Sequence, residues 1–170
     1  MYTRRMSLPG ILLMLCCWLT TEMSFAQTDK ILKVLNRELD VALTDVPTAA
    51  GKGAILPQYG FRVKDSAGIQ LLVLYIRQPG SESNPAYWQQ QEGDLRKIQR
   101  VVKDINVIFE TLPDAVVTTT TDHNGSVRTG TGDMFFLHLS YREHNEDVAK
   151  ELIKTFKKAG ITIEKGYWHD

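Results

Sequence analysis

The side chains best suited to chemistry in this sequence are acids and histidines between positions 122 and 144. They are carboxylates and imidazoles, ligand types that zinc binds: Asp122, His123, Asp133, His138 and His144. A hairpin would permit Asp122, His123 and His144 to meet, and these three define an alternative hypothesis of a metal site. No two histidines, however, have the i, i+4 spacing of a helical zinc motif, and the sequence has no CxxC pair. We therefore predict no metal and no cofactor, with His138 partly buried in a strand and His123 and His144 in exposed loops.

Catalytic side chains are not marked by any motif. No serine lies in a glycine-flanked elbow, and Cys16 and Cys17 fall in a segment predicted to be removed. Three acids cluster where a helix is predicted to begin, a place where acids ordinarily complement the helix dipole: Glu143, Glu146 and Asp147. We predict no catalytic residue and favour a non-enzymatic role. The alternative is a metal-dependent or carboxylate-based enzyme with its site near the 122–144 loops.

Aromatic side chains near the ends of predicted elements are better candidates for binding. Tyr87 and Trp88 lie near the start of a predicted long helix, and Tyr167 and Trp168 follow the last predicted strand. Such rings are enriched at protein interfaces, although covering the core is the competing explanation. Together with the loop from residue 122 to residue 131, they give the predicted binding set: Tyr87, Trp88, His123, Asn124, Tyr167 and Trp168.

The unusual stretch TTTTDHNGSVRTGTGD, residues 118–133, is predicted to be the rim of a sheet. Asn124-Gly125 favours a tight turn because both residue types tolerate positive φ. A phosphate-binding loop usually places its glycines directly before a helix, whereas this one leads into a predicted strand. A ligand loop is the alternative interpretation, and a separate strand over residues 126–129 is the main alternative for the local structure.

Hydrophobic periodicity predicts the elements that would position these residues. Apolar side chains at spacings of three and four predict helices over residues 29–43, from 84 or 94 to 112, and from 145 to a stop at Gly160. Strands are predicted at 61–64, 69–76, 115–121, 134–140 and 161–163. The run LLVLYI from position 71 predicts a strand covered on both faces, in the interior of its sheet.

The order of these elements predicts an α+β fold. Strand, helix, strand, strand, helix and strand make a ferredoxin-like βαββαβ two-layer sandwich, with an extra N-terminal helix and an additional edge strand. The predicted organisation is a cleaved signal peptide over residues 1–26, a helix and connector over 27–60, and an α+β domain over 61–170. The sheet face away from the helices would need a cover, from the chain itself or from a partner.

The first 26 residues predict export. Arg4 and Arg5 precede an apolar run at 11–19, and Ser24-Phe25-Ala26 resembles a cleavage site. The run is shorter than a membrane span, so we expect no stable membrane insertion after cleavage. A lipoprotein is disfavoured because large residues precede Cys16. We predict a periplasmic location, with secretion as an alternative.

The expected partner is a protein. Cleavage after Ala26 would leave 144 of 170 residues, without cysteine, and with 18 basic and 19 acidic residues after the loss of Arg4, Arg5 and Glu22. That balance does not favour nucleic acid. We predict a small exported interaction protein, an inhibitor or immunity-type protein among the options, which binds another envelope protein or a second copy of itself.

Overall fold

The computed structural model describes residues 25–44, 56–78, 80, 85–139 and 145–169. Predictions for residues 1–24, for the connector at 45–55 and for His144 therefore lie outside the described residues, whereas Phe25 and Ala26, the end of the predicted leader, begin the first helix. The described residues form two helices and nine strands: α1 (Phe25–Thr44), β1 (Leu56–Ser66), β2 (Ile69–Gln78), β3 (Tyr87–Asp94), β4 (Ile98–Lys103), β5 (Val107–Thr111), β6 (Val116–Thr121), β7 (Val127–Gly132), β8 (Met134–Phe136), α2 (Glu146–Lys158) and β9 (Glu164–Trp168).

The fold is α+β and mostly strand. The first sheet has the order β1-β2-β3-β6-β7 and is antiparallel throughout, and the second has the order β8-β5-β4-β9, with β9 parallel to β4. The ferredoxin-like βαββαβ arrangement is not confirmed, because the segment predicted as its first helix is strand. The two sheets have no strand in common and are joined by segments in which a strand of one is followed directly by a strand of the other.

Three chain segments run through both sheets. A 3₁₀ helix, Leu95–Lys97, turns β3 into β4, and short bends join β5 to β6 and β7 to β8. Backbone hydrogen bonds continue across the bend, from Leu112 N–H to the Lys97 carbonyl at 2.9 Å and from Thr111 N–H to the Asp133 carbonyl at 2.8 Å. Residues of both sheets lie in one core with the helices, and we call the sheet face that carries these core residues the concave side.

The predicted helix ending at residue 112 is wrong. Its apolar stripe of helical period arises because the 3₁₀ helix, two short strands and a turn happen to bury residues about three apart, including Leu95, Ile98 and Val101. Ile105 belonged to that stripe, yet it lies at the tip of the β4–β5 turn and is 80% exposed. The segment is rich in valine and isoleucine, whose branched side chains lose rotamer freedom in a helix and pack well in strands.

Several other predicted elements are confirmed. The first hairpin forms with β2 as an interior strand, α2 begins after Asn145, and Gly160 takes a φ of +78° where the helix stops. The strand at 115–121 forms as β6, and the alternative of a separate strand after the Asn-Gly turn is realised as β7. The predicted last strand is shifted, since Ile161 and Ile163 are buried outside the ladder and β9 begins at Glu164.

A single hydrophobic core fills the space between the bent sheet and the helices. Leu35 of α1, Leu74 of β2, Phe109 of β5, Phe135 of β8 and Phe156 of α2 all belong to it. The N-terminal helix is therefore packed on the domain. Neither described helix combines the length and apolar character needed to span a bilayer.

Candidate functional site

The far end of the first sheet carries a row of four side chains on its outer face, away from the helices. Register pairs Arg77 with Trp88, Trp88 with Thr121 and Thr121 with Val127 across adjacent strands. Gly93 identifies the two faces of β3. A Cβ built on Gly93 would lie 2.9 Å from the ring of Phe135 in the core, so Gly93 faces the core. Side chains alternate along a strand, so Trp88 points to the opposite, outer side. We call Arg77, Trp88, Thr121 and Val127 the outer patch.

The outer patch exposes apolar surface next to a cation. Trp88 is 39% exposed and Val127 is 62% exposed. The guanidinium carbon of Arg77 lies 5.8 Å from the centroid of the Trp88 ring, within the range of a cation–π interaction. This contact orients the indole on the sheet and leaves one side of it open. An oriented aromatic ring with an adjacent arginine is the residue combination found at binding hot spots.

The tip of the β6–β7 hairpin lies at the same end of the sheet. Gly125 N–H donates to the Asp122 carbonyl at 3.0 Å, Asp122 N–H donates to the Ser126 carbonyl at 2.9 Å, and Gly125 has a φ of +83°. The tight turn predicted from Asn-Gly is confirmed, and it leaves His123 exposed. The Asn124 side chain accepts a hydrogen bond from Ser126 N–H at 3.0 Å, so it stabilises the turn.

The structure brings together only part of the predicted binding set. Trp88, His123 and Asn124 share one end of the first sheet, because Trp88 pairs with Thr121 beside the hairpin tip. Tyr87 lies next to Trp88 in β3 but, by alternation, faces the concave side.

Tyr167 and Trp168 belong to a separate place. They lie in β9 of the second sheet, where Trp168 is in register with Lys103 at the opposite end of the continuous β3–β4 segment. The Lys103 ammonium is 5.9 Å from the Trp168 ring centroid, and the Tyr167 ring stacks on His169 at 5.5 Å. These aromatics form no common surface with Trp88.

The residues of the alternative metal hypothesis are not assembled in the described part of the chain. Asp122 accepts a charge-assisted hydrogen bond from Arg128 at 3.2 Å, and His144 lies outside the described residues. No group of three or more acid, histidine or cysteine side chains in the described ranges is placed to hold a metal ion. The metal site therefore stays a prediction without geometric support.

His138 is half-buried, as predicted, but it does not lie in the predicted strand over 134–140, because β8 ends at Phe136. It has a φ of +54° and follows β8, and its Nε2 is buried with no hydrogen-bond partner in the described structure. Burial disfavours the charged imidazolium and lowers the pKa of His138 to about 4. The ring is therefore neutral near pH 7.

Two residues of the outer patch were missed by sequence reasoning. Arg77 and Thr121 become candidates only through their cross-strand register with Trp88, whereas Val127 lies in the predicted 122–131 binding loop. A second feature was also missed, a basic depression of about 510 Å³ at the bend, whose cations are Arg96, Lys97 and Arg100. Arg100 there is paired with Glu110 at 2.9 Å, so part of that charge is already neutralised.

Comparison with protein-family models, with curated proteins and with solved structures finds no match for this chain. The function must therefore be argued from the molecule's own surface, and the outer patch with the neighbouring hairpin tip is the site that its geometry favours.

Proposed function

We propose that this protein is a small exported interaction protein that binds another envelope protein through the outer patch and the hairpin tip. The observation that carries the proposal is the exposure of Trp88 and Val127 in one row of a sheet face, with Arg77 against the indole. Both described helices pack on the other, concave side. Binding a partner would remove this apolar surface from water, which is the main favourable term in protein association.

The chemistry of the outer patch indicates the kind of partner surface that fits. Trp88 offers a flat aromatic surface, Thr121 a hydroxyl, and Arg77 a cation, so the complementary surface carries an apolar anchor with a carboxylate near it. Export through a cleavable signal to the periplasm is the part of the proposal that rests on the sequence. Inhibitor and immunity-type proteins agree with it in size and predicted location, which is an analogy and not a structural likeness.

A photo-crosslinking experiment in the producing cells tests the proposal. A photoreactive amino acid replaces Val127 in the full-length chain, and a matched variant carries it at Ile105, which is also exposed but lies at the tip of the second sheet. We expect one envelope protein to crosslink at position 127 and not at position 105. The same product should be lost when Trp88→Ala is added.

Three results would contradict this function. Crosslinks to a second copy of the chain are set aside, since they report self-association. Absence of a crosslinked product with another protein at position 127, an identical set of such products at both positions, or such a product insensitive to Trp88→Ala would each remove the outer patch as the binding site. Circular dichroism of each variant establishes that the fold is retained, since Trp88 and Val127 lie outside the core.

A further inference from the structure

The β7 edge of the first sheet has backbone groups with no partner in the described structure. Asp122 N–H donates to Ser126 O, so the alternating ladder makes residues 128, 130 and 132 bond to β6. On the other side of β6, Asp94 N–H donates to the Ala115 carbonyl at 3.4 Å. The odd-numbered residues of β6 therefore bond to β3, which agrees with its even-numbered residues bonding to β7. The N–H and C=O groups of Val127, Thr129 and Thr131 therefore point away from the sheet.

Two of the other sheet edges are capped by amide side chains. On β1, Phe61 N–H donates to Asn36 Oδ1 at 2.6 Å and Asn36 Nδ2 donates to the Phe61 carbonyl at 3.1 Å. On β8, Phe136 N–H donates to Gln91 Oε1 at 3.1 Å and Gln91 Nε2 donates to the Phe136 carbonyl at 3.4 Å. Each amide imitates the backbone of a neighbouring strand.

The fourth edge and β7 differ in regularity. The ladder of β9 is irregular, with a register shift between Val101 and Lys103. In contrast, β7 pairs with β6 without a break over six residues, and all of it except Gly132 is exposed. Regular, exposed edges that carry little charge are the ones on which another strand can form, and proteins usually blunt them.

The side chains of β7 leave room for a neighbouring strand. A Cβ built on Gly130 or Gly132 would have no other atom within 4 Å. These glycines border a depression of about 390 Å³ on the concave side, with Thr118 and Arg128 in its lining. On the outer side, Thr131 donates to Asp114 Oδ1 at 2.7 Å, which holds the strand in place before any partner arrives.

We propose that two copies of this chain pair through β7, antiparallel, about a two-fold axis at Thr129. In this register Thr129 faces Thr129 of the second copy, and Val127 faces Thr131. All three free donors and all three free acceptors of each strand then find partners, giving about six hydrogen bonds across the edge. A two-fold axis requires a self-complementary surface, and this strand satisfies that requirement.

The charges of β7 are compatible with this pairing. Its single charged residue, Arg128, would face Gly130 of the second copy, so no like charges lie directly opposite each other. Arg128 is already paired with Asp122. On the outer side, threonine faces threonine at the axis, a favourable cross-strand pair. Arg62 and Lys64 of β1 would give its edge a less favourable charge pattern.

The dimer joins the two five-stranded sheets into one continuous sheet. Because the two-fold axis is perpendicular to the sheet, both outer patches lie on the same side. Val127 belongs to both surfaces, through its side chain to the outer patch and through its backbone to the edge. The dimer rests on backbone pairing alone, so this inference does not depend on the proposed function.

Register-specific disulfide crosslinking tests the dimer. The background is the full-length chain with Cys16→Ser and Cys17→Ser, which removes both natural cysteines. Thr129→Cys places two thiols opposite each other, whereas Val127→Cys separates them by four residues along the strands. We expect dimeric disulfide from Thr129→Cys, little from Val127→Cys, and dimer again from Val127→Cys combined with Thr131→Cys.

Light scattering of the unmodified chain gives the second measurement, across a concentration series. We expect the mass to rise from one chain toward two, and Thr129→Pro to hold it at one chain. Proline at 129 removes an N–H that faces away from β6, so the strand itself survives. A mass of one chain throughout the series, or equal crosslinking of the two single-cysteine variants, overturns the proposal.

Discussion

His138 shows at the residue scale how the fold tunes a single titratable group. Its ring lies 6.4 Å from that of Phe136 and its Nε2 has no hydrogen-bond partner in the described residues, so the imidazolium would lose hydration without compensation. The folded protein is more stable with the neutral ring than with the charged one. This is why the pKa is lowered, and it connects the stability of the protein to pH.

Acid should therefore destabilise the protein partly through His138. The unfolded chain binds a proton near pH 6.5 while the folded chain binds it only near a pKa of about 4. Above pH 6.5 the histidine is neutral in both states and the free energy of unfolding is not reduced by it. As the pH falls from 6.5 toward 4, the unfolded chain takes up the proton first, and the loss in free energy of unfolding reaches about 2 to 3 kcal/mol at pH 4.5. Denaturant unfolding at pH 7 and pH 4.5 measures it.

The matched variant is His138→Asn, which cannot titrate and tolerates positive φ. The free energy of unfolding of the variant should fall less between the two pH values, by about 2 to 3 kcal/mol, because both chains share all other carboxylates and histidines. Parallel pH profiles of wild type and variant would show that His138 does not carry the effect.

The edges of the sheets depend, at the element scale, on single amide side chains. Asn36 satisfies both free backbone groups of Phe61 from helix α1, whereas the next residue, Arg37, forms ion pairs with Glu38 and Glu151 at the surface. The Arg37 guanidinium lowers the pKa of Glu151, yet the arginine side chain is 53% exposed and screened by water. Adjacent residues thus join α1 to the rest of the molecule with very different strength.

Replacing each of these neighbours separates the two effects. Asn36→Ala leaves an N–H and a C=O of Phe61 without partners and should lower the free energy of unfolding by about 1 to 3 kcal/mol. Arg37→Ala should cost less than about 1 kcal/mol, as exposed ion pairs do. Chemical denaturation of both variants decides the point, and equal losses would contradict the role of Asn36 as an edge cap.

Elements with one hydrophobic period along their whole length could be predicted from the sequence. Segments that combine several short elements could not. The first hairpin and α2 each have a continuous pattern of a single period, so they were predicted correctly. Residues 94–112 mix a 3₁₀ helix, two short strands and a turn, and their buried positions add up to a false helical stripe. Strand β7 has alternating Thr and Gly with almost no apolar residue, so the sequence offers it only as an alternative and its pairing with β6 decides.

The same limit applies to the candidate site. Trp88 and the Asn-Gly turn were visible in the sequence because their residue types are distinctive. Arg77 and Thr121 were not, because their importance comes from lying beside Trp88 across the sheet. Tyr167 and Trp168 were grouped with Trp88 by residue type alone, and the topology separates them.

At the scale of the whole molecule, the helices and the outer patch lie on opposite faces of the first sheet, and β7 forms one of its edges. The core on the concave side draws on α1, on both sheets and on α2. The outer patch and the β7 edge contribute no residue to that core. Substitutions there should therefore change binding without loss of the fold. This division predicts that folding is all-or-none, although the elements come from distant parts of the chain.

A test of that division compares Leu35→Ala in α1 with Leu152→Ala in α2. Both side chains are fully buried in the same core, so each should cost about 2 to 5 kcal/mol. Because one core unites the elements, each variant should lower the single melting temperature at which circular dichroism and tryptophan fluorescence change together. Ile105→Ala, at an exposed tip, should leave that temperature unchanged. Separate melting of the helical signal in Leu35→Ala, with the sheet intact, would mean that α1 is an independent attachment and that the sheet is stable without it.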